Sequence, residues 1–204
     1  MNEEELKEIL VKHEKWLYGE GGERAFLQYT DLRGADLEGA NLRGADLEGA
    51  DLERADLKRA DLERADLRGA DLEGANLRYA DLERANLDRA DLKGADLRYA
   101  DLERADLRYA DLEGANLRYA DLERADLRYA DLRGTNLEFS VFPLWCGSFD
   151  MKIGDRLASQ LIAHLARTDY SDCSDEISKF IDNIPIDLKN KFCEYNDDIE
   201  EVEE

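Results

Sequence analysis

The side chains of this 204-residue chain that could do chemistry are 50 aspartates and glutamates, two histidines and three cysteines. General acid–base work needs a carboxylate or imidazole desolvated beside its partner. Here the carboxylates recur at even intervals along the chain, a spacing that suits a solvated outer surface better than a pocket. His13 and His164 stand in opposite flanks, with no Gly-rich phosphate loop and no nucleophile elbow. Cys146, Cys173 and Cys193 are odd in number and lack Cys-x-x-Cys spacing, so they read as reduced thiols in a cytoplasm and not as a metal site. No catalytic, cofactor-binding or metal-ligating residue is assigned, and an enzyme is not expected.

A second group is aromatic. Tyr79, Tyr99 and Tyr119 follow Arg78, Arg98 and Arg118, a pairing that suits base stacking with cationic support. The formal net charge of −22 opposes direct contact with nucleic acid, so stacking between neighbouring turns of the chain is the better reading.

The element that positions these residues has a period of five. From Leu27 to Leu137 a leucine occupies every fifth place, 23 in all, and Phe142 keeps the phase. Two places before it stands Ala, with Thr30, Thr135 and Ser140 as small exceptions, and from Asp31 to Asn136 the residue between is Asp or Asn. Steps of five carry a helix around its axis, and on a flat strand they alternate faces, so neither buries all the leucines. A chain that bends identically in each pentad coils into a solenoid with the leucines inside. Residues 98–117 and 118–137 agree at 18 of 20 positions, which points to four pentads per turn, and 24 pentads then make six coils.

This Ala, Asp or Asn, Leu, two-variable-residue pattern resembles the pentapeptide-repeat family over residues 25–144. The resemblance implies an all-β solenoid, a right-handed quadrilateral parallel β-helix with leucine and alanine inside. It implies no single activity; the best understood relatives resemble DNA and bind DNA gyrase.

An open-ended solenoid needs caps over its terminal leucine layers. Residues 1–24 supply an amphipathic helix from Glu3 to Leu17, with Leu6, Ile9, Leu10, His13, Trp16 and Leu17 on one face and "GEGG" after it. Residues 145–194 are expected to form a helical C-terminal cap behind a plug of Phe142, Leu144, Trp145 and Phe149, and 195–204 an acidic disordered tail. The chain is expected to be monomeric, or a homodimer through its C-terminal helices. No apolar run approaches a membrane span, and the acidic start is unlike a signal peptide, so a cytoplasmic location is expected.

Sorting pentads by columns of twenty makes the column from Leu32 the most acidic, with a net charge of −5. It contains Asp51, Glu53, Asp71, Glu73, Asp91, Asp111, Glu113 and Asp131, the candidate acidic interaction face. The repeat body carries 28 acids against 18 bases. Six coils span about 29 Å, a length over which duplex DNA bears about 17 charges, so the body falls short of that density. The expectation is a non-enzymatic structural or protein-interaction solenoid of unknown partner. The alternative is a DNA mimic that binds gyrase, disfavoured by the arginines in the adjoining columns.

Overall fold

The structure is a computed structural model and describes residues 1–138 and 140. Its unit is a turn. Each leucine carbonyl accepts the N–H of the residue three places on, as in Ala35 to Leu32 at 3.0 Å and Ala105 to Leu102 at 3.0 Å. The second of the two intervening residues has a positive φ in pentad after pentad, from +53° at Tyr29 to +73° at Gly134. A type II turn requires that conformation at its third residue. Glycine adopts it freely. Arg54, Tyr79 and Arg104 adopt it at about 1–2 kcal/mol each, a cost the stacked coils must offset.

The Asp or Asn before each leucine closes the same turn. Its Oδ1 accepts the N–H two residues on, at 3.2 Å from Glu53 to Asp51 and 2.9 Å from Glu103 to Asp101. Asn116 does the same for Arg118 at 3.2 Å, which explains why the position takes either residue and no longer one.

Each coil then pairs with the next in parallel. Nineteen bridges run from Phe26↔Asp46 to Asn116↔Asn136, every one joining residues twenty apart, so a turn of the solenoid holds four pentads. On one side Leu82 N–H donates to the Asp101 carbonyl at 2.7 Å, Arg84 N–H to that of Glu103 at 2.9 Å, and Asp101 N–H to that of Ala80 at 3.0 Å. Among the described residues no strand is longer than one bridged residue. A five-residue side spends two residues on its turn and has no room for more. The expected β-helix is therefore built of isolated bridges between turns.

Inside, Leu47 to Leu132 are 0 % exposed at every repeat. Each contributes about 2 kcal/mol by leaving water. Thr135 and Ser140 hold alanine places and stay buried because their hydroxyls donate to the carbonyls of Leu132 and Leu137, both at 2.7 Å.

The helix α1 spans Glu3–Leu17, the expected range. Asn2 caps it: its Oδ1 accepts from Glu5 N–H at 2.8 Å, and the Glu5 carboxylate accepts from Asn2 N–H at 3.1 Å. The buried stripe is narrower than expected, comprising Leu6 and His13, while Trp16 is 42 % exposed. Two contacts tie the α1 segment to the first coil, and a third closes the connection between them. Met1 donates from its amino group to the Asp31 carbonyl at 3.2 Å, Ala25 N–H donates to His13 Nδ1 at 3.0 Å, and Gly22 passes so near Lys12 that a Cβ would lie 2.2 Å from its carbonyl oxygen. Among the described residues no helix is long and apolar enough to cross a membrane. The proposed plug, C-terminal cap, acidic tail and three cysteines lie outside the described residues.

Candidate interaction faces

Because each side of the coil repeats at twenty, an outward position becomes a ladder running along the solenoid. The acidic column is one of these: Asp51, Asp71, Asp91, Asp111 and Asp131 are bridged in succession. Cations interrupt it. Arg33 pairs with Asp31 at 2.7 Å and Asp51 at 3.3 Å, Lys93 with Asp91 at 3.2 Å and Asp111 at 2.9 Å, and Arg133 with Asp131 at 2.8 Å and Glu113 at 3.0 Å. Glu53 has Arg54 at 3.3 Å. Of the candidate face, Asp71 and Glu73 lie on the stretch between Arg33 and Lys93. The Asp111 and Asp91 carboxylates hold the Lys93 ammonium as a cation, its pKa raised beyond the usual lysine range.

A second acidic side was not singled out by the sequence reading. Asp61, Asp81, Asp101 and Asp121 are bridged in line, with Glu63, Glu83, Glu103 and Glu123 two residues after each. At their corner stand Arg64, Arg84, Arg104 and Arg124, each 3.3 to 3.5 Å from the glutamate before it. Burial raises the pKa of Asp101; the Glu103 amide opposes this, and Asp81 and Asp121 above and below add to it. The signal was present in sequence, but summing the column cancelled the glutamates against the corner arginines.

The tyrosines form two ladders. Tyr79 and Tyr99 stack with centroids 4.8 Å apart at 5°, Tyr99 and Tyr119 at 4.9 Å and 5°, and on a different corner Tyr109 and Tyr129 at 4.9 Å and 14°. The second pair has the same twenty-residue spacing and went unread in the sequence. Ring faces are covered by one another and, at Tyr79, by the guanidinium of Arg59 at 5.9 Å. Bases could not insert without parting the stack, which favours coil-to-coil stacking. Beside this ladder Arg98 Nε is held by Asp96 Oδ1 at 2.8 Å, whereas Asn76 and Asn116 stand before Arg78 and Arg118. Burial alone would raise the Asp96 pKa, but the Arg98 side chain and amide outweigh it and hold the carboxyl below the usual range.

Two triads bring carboxylate oxygens within 4.8 Å of one another: Asp46, Glu48, Asp66 and Asp111, Glu113, Asp131. An arginine already meets each. Arg68 contacts Glu48 at 2.8 Å and Asp66 at 2.7 Å, and Arg133 contacts Glu113 and Asp131. A guanidinium thus supplies the positive charge a metal would bring.

Four-sided coils, an all-leucine axis and outward ladders define a β-solenoid repeat protein. The sequence model named Pentapeptide repeats matches residues 23–59, 55–94, 70–108, 85–118 and 105–142, more than half of the chain, which therefore belongs to the pentapeptide repeat family. The family's fold is the right-handed quadrilateral β-helix. The chain is similar to HetL, a pentapeptide repeat protein involved in heterocyst differentiation regulation from the cyanobacterium Nostoc sp. strain PCC 7120. The two share 40 % identity over 64 % of this chain and 58 % of HetL, with a TM-score of 0.57. The chain thus spans less than two thirds of that relative. A pentapeptide repeat protein of the Arabidopsis thaliana thylakoid lumen is 28 % identical over 71 % of this chain and 85 % of its own, at a TM-score of 0.41. QnrB1, a plasmid-mediated fluoroquinolone resistance protein, is 22 % identical over 71 % and 86 % at 0.28, a likeness too slight to carry an argument. No curated protein sequence matches the chain.

Proposed function

We propose that the chain is a non-enzymatic interaction solenoid whose outward ladders, rather than a pocket, meet a protein partner. The observation that carries this reading is the register of the variable side chains. The residues free to differ between pentads are held one coil apart, as the tyrosine stack is at 4.8 and 4.9 Å. A partner then meets a surface whose ordering cost has been met in folding. The tyrosine ladder beside Arg78, Arg98 and Arg118 is the favoured contact, since Tyr and Arg are enriched among residues that dominate binding energy. The involvement of HetL in regulation is in keeping with a role exercised through contact. The organisation that goes with this reading is a helical cap at 1–24, the repeat body at 25–144, a helical cap at 145–194 and an acidic tail at 195–204.

Mimicry of DNA toward gyrase is disfavoured, because Arg33, Lys93 and Arg133 break the acidic column that such a mimic would present. Capture from a native lysate on immobilised protein tests the proposal. A partner retained by the parent chain and lost on Tyr99→Ser plus Tyr119→Ser, but kept on Asp71→Asn plus Glu73→Gln, is the expected result. A partner indifferent to every face, or turnover of a small molecule by the purified chain, overturns it.

A further inference from the structure

Among the described residues, His13 is the one titratable side chain with no exposed surface. Its Nδ1 accepts the Ala25 N–H at 3.0 Å, so that nitrogen carries no proton and the ring hydrogen is on Nε2. Nε2 is buried without a hydrogen bond of good geometry, although the Arg43 carbonyl lies near enough to favour the charged ring, and the ring stacks on Trp16 at 5.4 Å and 16°. Ala25 is where the chain enters the first coil, its carbonyl accepting the N–H of Asp46 at 2.9 Å. An added proton has only Nδ1 to occupy. There it would set one N–H against another.

We propose that His13 is an acid-sensitive latch, whose protonation breaks the bond to Ala25 and releases α1 from the first coil, baring the leucine layer of Leu27, Leu32, Leu37 and Leu42. No coil precedes that layer, so α1 is what shields it on the open side. Every charge facing the ring bears on the direction. Burial disfavours the imidazolium most, the backbone carbonyl of Arg43 favours it, the Arg24 guanidinium disfavours it and Asp61 favours it, and the net is a pKa below the ordinary value of 6.5. Lys12 and Glu14 flank it on α1 with opposite signs.

The sign follows from linkage. The docked form has the lower pKa, so docking is fully stabilised above the ordinary histidine value and loses ground as pH falls beneath it. The ratio of released to docked helix rises about tenfold per pH unit until the docked ring itself titrates.

Nuclear magnetic resonance of the full chain between pH 7.5 and 5.5 tests the latch. The expected result is that the Ala25 amide and the α1 amides shift together with the His13 ring, with a midpoint below 6.5. The amides of Leu107 and Leu112 should stay still and so report an intact coil. In His13→Asn the amide oxygen takes the place of Nδ1 and does not titrate, so the α1 shifts should shrink at least tenfold. A ring that titrates while the Ala25 amide stays unmoved overturns the proposal, as does the same α1 transition in His13→Asn. Should that variant fail to fold, the coupling of ring and amide in the parent chain decides alone.

Discussion

The ring of Tyr99 lies 4.8 Å from that of Tyr79 and 4.9 Å from that of Tyr119, parallel to each within 5°. Such pairs contribute about 0.5–1.5 kcal/mol each beyond their buried area. Tyr99→Ser removes two and should lower stability by about 1–3 kcal/mol in urea unfolding, whereas Tyr129→Ser, at the end of a two-ring stack, should cost about half as much. Equal losses would show that the rings are spectators.

Leu107 and Arg108 are neighbours with opposite fates. Leu107 is fully buried, and Leu107→Asn strands an amide in an apolar interior at a cost on the order of 3 kcal/mol or more. Arg108 pairs with Asp106 at a side chain 39 % exposed, and Arg108→Gln should cost under about 1 kcal/mol. Thermal unfolding compares the two.

Glycines at positive φ should separate by what surrounds them. A Cβ on Gly94, at φ +61°, meets nothing within 4 Å, so Gly94→Ala should cost about 1 kcal/mol of backbone strain alone. At Gly22, with φ +94°, the Cβ meets the Lys12 carbonyl at 2.2 Å, and Gly22→Ala should displace the connection to α1. Hydrogen exchange in residues 3–17 should quicken in the second variant and not in the first.

Two aspartates should answer pH in opposite senses. The folded-state pKa of Asp101 is raised, chiefly by burial, so its charged form is a penalty present at neutral pH and relieved as pH falls through that raised value. Asn keeps the bond to the amide two residues on, as Asn116 shows. Asp101→Asn should therefore be stabilising at pH 7, with the gain shrinking toward pH 4. The pKa of Asp96 is lowered, burial being outweighed by Arg98, so its contribution is held above the ordinary aspartate value and lost as pH falls through the depressed one. Asp96→Asn should lower stability by a constant amount from pH 7 to 5, and unfolding midpoints along that series check both.

A gyrase supercoiling assay at physiological salt should show no inhibition at low micromolar protein. The cations of Arg33, Lys93 and Arg133 would face the lysines and arginines of a DNA-binding groove. Submicromolar inhibition abolished by amides at Asp71, Glu73, Asp91 and Asp111 would reverse the order of the two readings.

What the sequence disclosed is what repeats. The inward leucines, the twenty-residue turn and the tyrosine stack beginning at Tyr79 follow from period alone, because an equivalent environment selects an equivalent residue. The positive φ at Arg54 and Tyr79 was also written there, in the glycines holding the same place at Gly74 and Gly39. The ion pair from Lys93 to Asp111 was not, since it depends on how far a side chain reaches across a coil. Nor was the bond from Ala25 to His13, which joins two segments with different periods.

The bridges that join residues twenty apart make the coiled stretch 26–136 a dial as well as a rod. Removing a single pentad from the middle leaves every leucine inward and every turn closed. It also swings all later side chains a quarter of the way round, so that the tyrosines following the cut leave their old corner and face the neighbouring side. Removing four pentads shortens the rod by about 4.8 Å and restores the facing. Small genetic slips in such an array rewire its surface at little cost to its interior.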